Sequence, residues 1–205
     1  FQNLTQLREI DLSHNFINVD PTPTLQPVST LERLDLSKNR LTQLPQFDVA
    51  LWPALRTLHL GDNAIETFQS SALVAPTLRE LHVGAMGWST TTLRSIGLDR
   101  ATGLEVLNAS HNALTVLPPA LLQSATKLKQ LDLQSNRISQ LGDTLFSDLK
   151  KLFTLNVAGQ YYTVQLRYET LRFPWDTIVP QNQLNGLLDL AVRWEGSRCL
   201  AQGRH

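Results

Sequence analysis

The chain is 205 residues long, and its 18 basic and 18 acidic side chains cancel to zero formal charge. With no Lys/Arg run and no basic stripe, nucleic acid and anionic membrane surfaces are poor candidates as partners, and no stretch approaches the ~20 apolar residues of a membrane span. The single cysteine, Cys199, excludes an intramolecular disulfide.

Leucines recur at a fixed spacing. The line Leu31-x-x-Leu34-x-Leu36-x-x-Asn39-x-Leu41 returns in copies that begin at Leu7, Leu31, Leu55, Leu78, Leu104, Leu128 and Leu152, at intervals of 24, 24, 23, 26, 24 and 24 residues. Inside a copy, Leu34 and Leu36 alternate with Arg33, Asp35 and Ser37, and this period of two predicts a short strand with one buried face. Asn39 follows where the chain must turn. Its amide carries two donors and an acceptor, enough to satisfy backbone groups that the turn would otherwise bury unpaired. Stacked copies predict an asparagine ladder of Asn15, Asn39, Asn63, Asn112 and Asn136. One copy cannot bury its apolar side alone, so the copies must stack into a continuous core.

In chain order, residues 1–6 read as the tail of an earlier copy. The expectation is a processed or truncated product, or a segment that covers the first strand by itself. Residues 20–27 hold Pro21, Pro23 and Pro27, which predicts an extended segment rather than a helix. The fourth copy is irregular: Met86 replaces the asparagine, so the turn must reroute, with Gly84 and Gly87 giving the backbone freedom. Trp88 follows, either as an exposed edge anchor or as a buried filler of the lengthened copy. The seventh copy has Gln160, and Tyr161, Tyr162, Tyr168, Phe173 and Trp175 then read as an aromatic plug over the open core. Leu184, Leu187, Leu188, Ala191 and Trp194 share one face of a helix predicted over residues 183–194.

The segments Leu114-Thr115-Val116-Leu117-Pro118 and Ile138-Ser139-Gln140-Leu141, the latter continuing through Phe146 to Leu152, are similar to the typical 24-residue leucine-rich repeats of animal extracellular proteins. Toll-like receptor ectodomains and secreted leucine-rich-repeat immune and matrix proteins belong to that class. The resemblance covers residues 1–160 and implies an α/β solenoid: a leucine-rich-repeat horseshoe with a parallel concave β-sheet and seven repeats. Residues 161–205 would form a helical carboxy-terminal cap containing the aromatic cluster. Pro174-Trp175-Asp176, Trp194 and Arg198-Cys199 resemble a degenerate form of the disulfide-bonded cap of such proteins, with Thr177 and Ile178 where its cysteines are expected. Cys199 is then a buried inert thiol, an interchain disulfide partner or a reactive thiol.

On the concave sheet, equivalent positions should form columns. The central column reads Asp11, Asp35, His59, His82, Asn108, Asp132, Asn156. The column before it reads Glu9, Arg33, Thr57, Glu80, Val106, Gln130, Thr154, and the next reads Ser13, Ser37, Gly61, Gly84, Ser110, Gln134, Ala158. Such a polar, glycine-lined face suits a protein or glycan more than a deep small-molecule pocket. The residues assigned to ligand binding are Arg33, Asp35, His59, Glu80, His82 and Trp88. His59 and His82 should lie side by side, as solvated face residues, as groups that tune binding with pH, or as metal ligands. No third ligand stands at a firm spacing, so no metal is assigned. Asp11 and Asp35 are read as hydrogen-bonded face residues rather than cation ligands.

No catalytic signature is present, so neither enzyme activity nor a cofactor is expected. Two sequons, Asn3-Leu4-Thr5 and Asn108-Ala109-Ser110, mark Asn3 and Asn108 as glycosylation candidates. The expected function is a recognition module for a protein ligand or co-receptor, or a glycan, of innate-immune or cell-surface type and extracellular. The alternatives are an intracellular scaffold in the cytoplasm and a structural subunit of a larger, disulfide-linked or non-covalent assembly.

Overall fold

The structure, a computed structural model, describes residues 4–44, 47–68, 73, 76–141, 145–146, 148–157, 159–160, 190–195 and 198–203. Each copy of the motif contributes one three-residue strand to a single parallel sheet. These are β1 (Glu9–Asp11), β2 (Arg33–Asp35), β4 (Thr57–His59), β6 (Glu80–His82), β7 (Val106–Asn108), β9 (Gln130–Asp132) and β11 (Thr154–Asn156), hydrogen-bonded in that order. The register pairs Asp11 with Asp35, Asp35 with His59, His59 with His82, His82 with Asn108, Asn108 with Asp132 and Asp132 with Asn156. The central column and the one before it, expected from counting residues, are therefore those of the sheet. Beneath it, Leu34, Leu58, Leu81, Leu107 and Leu131 are buried and join one continuous apolar core with the other repeat leucines.

The turn off each strand is stereotyped. His14, Lys38, Asp62, Ala85, His111 and Ser135 all adopt φ between 53° and 56°, and Gly159 has φ 61°. That left-handed residue precedes the ladder position in every copy. Its N–H reaches the next rung: those of Lys38 and Asp62 donate to the Gly61 and Gly84 carbonyls at 2.9 Å. The ladder amides then bind their own turn and the preceding copy. Asn63 Nδ2 donates to the carbonyls of Leu60 (2.8 Å) and Leu36 (3.0 Å), and its Oδ1 accepts from Leu41 N–H. Asn136 does the same with Leu133, Ala109 and Leu114. Gln160 keeps both functions with one extra methylene, accepting from Ile138 N–H and donating to Leu133 O.

The convex side is less regular. Between the first two strands lies a one-turn helix, α1 (Thr22–Leu25), where the three prolines predict an extended segment. Asp20 accepts from the N–H and hydroxyl of Thr22 and so nucleates the turn. Pro23 falls within the first turn, where a missing N–H costs nothing. Short parallel bridges join β3 (Gln43–Leu44) to β5 (Thr67–Phe68), and β8 (Val116–Leu117) to β10 (Gln140–Leu141). Between those two pairs the fourth copy substitutes a helix, α2 (Thr90–Ser95), capped by Ser89 Oγ on Thr92 N–H. Thr90 stands twelve residues after Leu78, as Gln43 stands after Leu31. Its hydroxyl donates to Val116 O and accepts from Thr115 N–H, in place of a strand bridge.

Near the carboxy terminus, β12 (Leu190–Glu195) pairs antiparallel with β13 (Arg198–Gly203), with Trp194 opposite Cys199. This corrects the predicted helix over its last five residues. Leu190, Val192 and Trp194 also alternate with Ala191 and Arg193, a strand period that the helical count overlooked. The rest of that helix, the aromatic cluster at 161–175 and the Pro174-Trp175-Asp176 segment lie outside the described residues.

Candidate ligand-binding face

In the regular rungs, a central-column Asp or Asn folds back on the residue two positions later. Asp35 Oδ1 accepts from Ser37 N–H (3.0 Å) and Ser37 Oγ–H (2.6 Å), and Asn108 Oδ1 does so from Ser110 (3.0 and 2.7 Å). Asp11 and Asp132 accept from the N–H of Ser13 and Gln134. These are local Asx turns. They agree with the reading of Asp11 and Asp35 as hydrogen-bonded face residues.

The third and fourth rungs differ. Their pairs are His59-x-Gly61 and His82-x-Gly84, so neither the acceptor nor the serine hydroxyl is present. Space holds glycine at Gly61, where a Cβ would stand 2.9 Å from the Gly84 carbonyl oxygen; a Cβ on Gly84 would sit tightly, 3.1 Å from both Asn108 Oδ1 and Ser110 Oγ. The result is an open trough of about 490 Å³ on the concave face. Gly61 and Gly84 line it together with His59, His82, Asn108 and Ser110.

The two imidazoles meet across β4 and β6 with centroids 4.1 Å apart, tilted by 47°. His59 Nδ1 lies 3.1 Å from Asp35 Oδ2, with Arg33 3.8 Å from the same oxygen. His82 Nε2 lies 4.0 Å from Glu80 Oε2 on its own strand. Burial lowers the pKa of both histidines, and for His82 the neighbouring His59 adds to it, taking the group to about 4. Asp35 opposes the shift at both, and Glu80 does so at His59. Both rings are therefore neutral at physiological pH. His59 Nε2 is buried without a hydrogen-bond partner in the described structure. Ligand atoms of His59, Glu80 and His82 all lie within 4.8 Å of one another, a convergence that linear spacing did not reveal.

Five of the six residues assigned to binding, Arg33, Asp35, His59, Glu80 and His82, thus come together on β2, β4 and β6. Trp88 does not. It is 3% exposed and belongs to the core. It occupies the apolar position that Leu41, Ile65, Leu114 and Ile138 hold in other copies, ten residues after the opening leucine, and that count could have found it. Its indole N–H donates to Ile65 O at 2.7 Å. In other copies the equivalent carbonyls of Ile17, Leu41 and Leu114 take the backbone N–H groups of Arg40, Ala64 and Arg137. This is the rerouting that Met86 imposes. Met86 and Trp88 N–H groups both donate to Asn112 Oδ1. Asn108 stands in the trough and Asn3 lies outside the described residues.

The stacked rungs, the amide ladder and the parallel concave sheet define a leucine-rich-repeat protein, and the chain belongs to that family. Models of the leucine-rich repeat match residues 102–160 and 30–49. Osteomodulin of Rattus norvegicus is 34% identical over 163 residues, covering 77% of this chain and 37% of that protein. The chain thus spans well under half the length of that relative. Among solved structures, TLR13 in its complex with ssRNA13 superposes with a TM-score of 0.67 at 25% identity, over 82% of this chain and 23% of that one. The Drosophila Toll–Spatzle complex gives 0.66 at 25% identity, over 80% and 22%.

Proposed function

We propose that the chain is a non-enzymatic, extracellular recognition module that holds a protein ligand on its concave face, in a cell-surface or innate-immune setting. The observation that carries this reading is the polar, glycine-floored trough flanked by Arg33, Asp35, Glu80 and the histidine pair. Scaffold side chains there are withdrawn and charged groups of both signs converge. Relatives point the same way: the Toll structure is a complex with Spatzle, and another relative is the oligodendrocyte-myelin glycoprotein of Homo sapiens. The TLR13 complex contains single-stranded RNA, but zero formal charge and the lack of a basic stripe favour protein over nucleic acid here.

The test is affinity capture on the immobilised chain from the extracellular fluid of its native source, in parallel with Arg33→Glu. A partner retained by the native chain and lost from the variant is expected; equal retention moves binding off the concave face. Glycosidase treatment of the secreted protein should shift its mobility through sugar on Asn3 or Asn108. A natively expressed chain with no sugar would favour the intracellular scaffold, a setting that the single Cys199 also fits. Electrophoresis with and without reductant reads any interchain disulfide at Cys199.

A further inference from the structure

The histidine pair has a feature that protein recognition alone does not use. We propose that His59, His82 and Glu80 form a binding site for a divalent transition-metal ion of the zinc type, with Asp35 orienting the first histidine. The site goes beyond the recognition function and stands whether or not a protein occupies the face.

Two imidazoles and a carboxylate are a nitrogen–oxygen set suited to zinc, and three protein ligands with one open position is a recurrent zinc arrangement. The sheet creates the set. Parallel register places His59 directly beside His82, and Glu80 precedes His82 by two residues, on the same face of β6. Bonds of about 2.1 Å at tetrahedral angles put ligand atoms about 3.4 Å apart. The observed ceiling of 4.8 Å is within reach of modest side-chain rotation.

The second observation is the hydrogen-bond state of His59. Its Nδ1 faces the Asp35 carboxylate at 3.1 Å, so Nδ1 carries the proton and Nε2 the lone pair. A carboxylate behind a metal-binding histidine does this work in zinc sites generally. Nε2 is the buried atom without a hydrogen-bond partner in the described structure, an arrangement that is ordinarily unfavourable. A metal ion gives that lone pair a partner. His59 and His82 line the trough, where a carboxylate or imidazole of a bound protein would complete the shell.

The competing reading is that the histidines only fill the face. Isothermal titration of the untagged, EDTA-stripped chain with zinc chloride separates the two. One equivalent bound is expected. His82→Ala and His59→Ala should abolish that binding, and Glu80→Gln should weaken it by at least about tenfold. Asp35→Asn, acting through His59, should weaken it about 10- to 100-fold, while His14→Ala leaves it unchanged. Glu80 is half-exposed, so its variant reports on binding even if a histidine variant fails to fold. Cobalt(II) offers an independent readout: the visible spectrum of a four-coordinate site, lost in Glu80→Gln. Absence of stoichiometric zinc uptake by the native chain would overturn the proposal, as would uptake that survives both His82→Ala and Glu80→Gln.

Discussion

Rungs one, two, five and six fasten their concave side chains to their own backbone, whereas rungs three and four do not. In those four rungs the oxygen of the central-column Asp or Asn takes the N–H two residues on, with a serine hydroxyl added at Ser37 and Ser110. Such a side chain is held in a scaffold role. Where histidine occupies the same column, the residue two on is glycine, and the imidazole turns instead to Asp35, Glu80 and the neighbouring ring. The same backbone therefore presents closed positions in the two rungs on either side and chemically open ones between them. The fourth rung departs further, since Met86 gives up the ladder and Trp88 takes over a tie to the third.

The largest test of this contrast is Trp88→Ala. It removes a buried indole and its hydrogen bond to Ile65 O, and should cost about 4–5 kcal/mol in urea denaturation. A loss below about 1 kcal/mol would mean that the fourth rung does not depend on the indole. Next comes pH, for the EDTA-stripped chain. His82 has a folded pKa of about 4, below its ordinary 6.5. The folded state therefore binds that proton less readily than the unfolded state. The resulting stability is complete above pH 6.5 and is lost as pH falls toward 4, a change of roughly 2 kcal/mol after allowance for partial exposure. Thermal midpoints of the native chain should fall across that window more steeply than those of His82→Ala. Asp35, Glu80, Arg33 and His59 face the ring and must remain in place for the comparison. The smallest effect separates the two kinds of rung directly. Asn108→Ala breaks the turn to Ser110 and should cost about 1 kcal/mol, whereas His59→Ala removes a buried unpaired nitrogen and should stay within about 0.5 kcal/mol of native. Equal costs in chemical denaturation would erase the distinction.

Much of this was legible by counting. Seven leucine registers locate seven strands, and the sheet register then makes His59 and His82 neighbours without any tertiary information. The trough was legible too, because Gly61 and Gly84 fall in one column. Other features were less accessible. The short helix α1 depends on Asp20 reaching Thr22, a local competition that overrides the extended bias of three prolines. The strand β12 shares its apolar residues with a helical pattern, and short apolar runs do not separate the two periods. Trp88 was open to two readings because lengthening of the fourth copy drew attention to its loop rather than to its register. Convergence of Glu80 with both histidines needs side-chain geometry, which spacing alone does not supply.

The fourth copy also behaves as an insertion in an otherwise uniform ladder. Asn112 spends its Oδ1 on Met86 and Trp88, the task that Asn63 performs for Leu41 and Asn136 for Leu114. Excising residues 78–103 would present Asn112 to Ile65 in the ordinary way and bring β5 alongside β8, merging the two convex ribbons into one. Gain or loss of this single cassette, by the unequal exchange to which tandem repeats are prone, would switch the histidine–glutamate cluster on or off while leaving the scaffold's own hydrogen bonding intact.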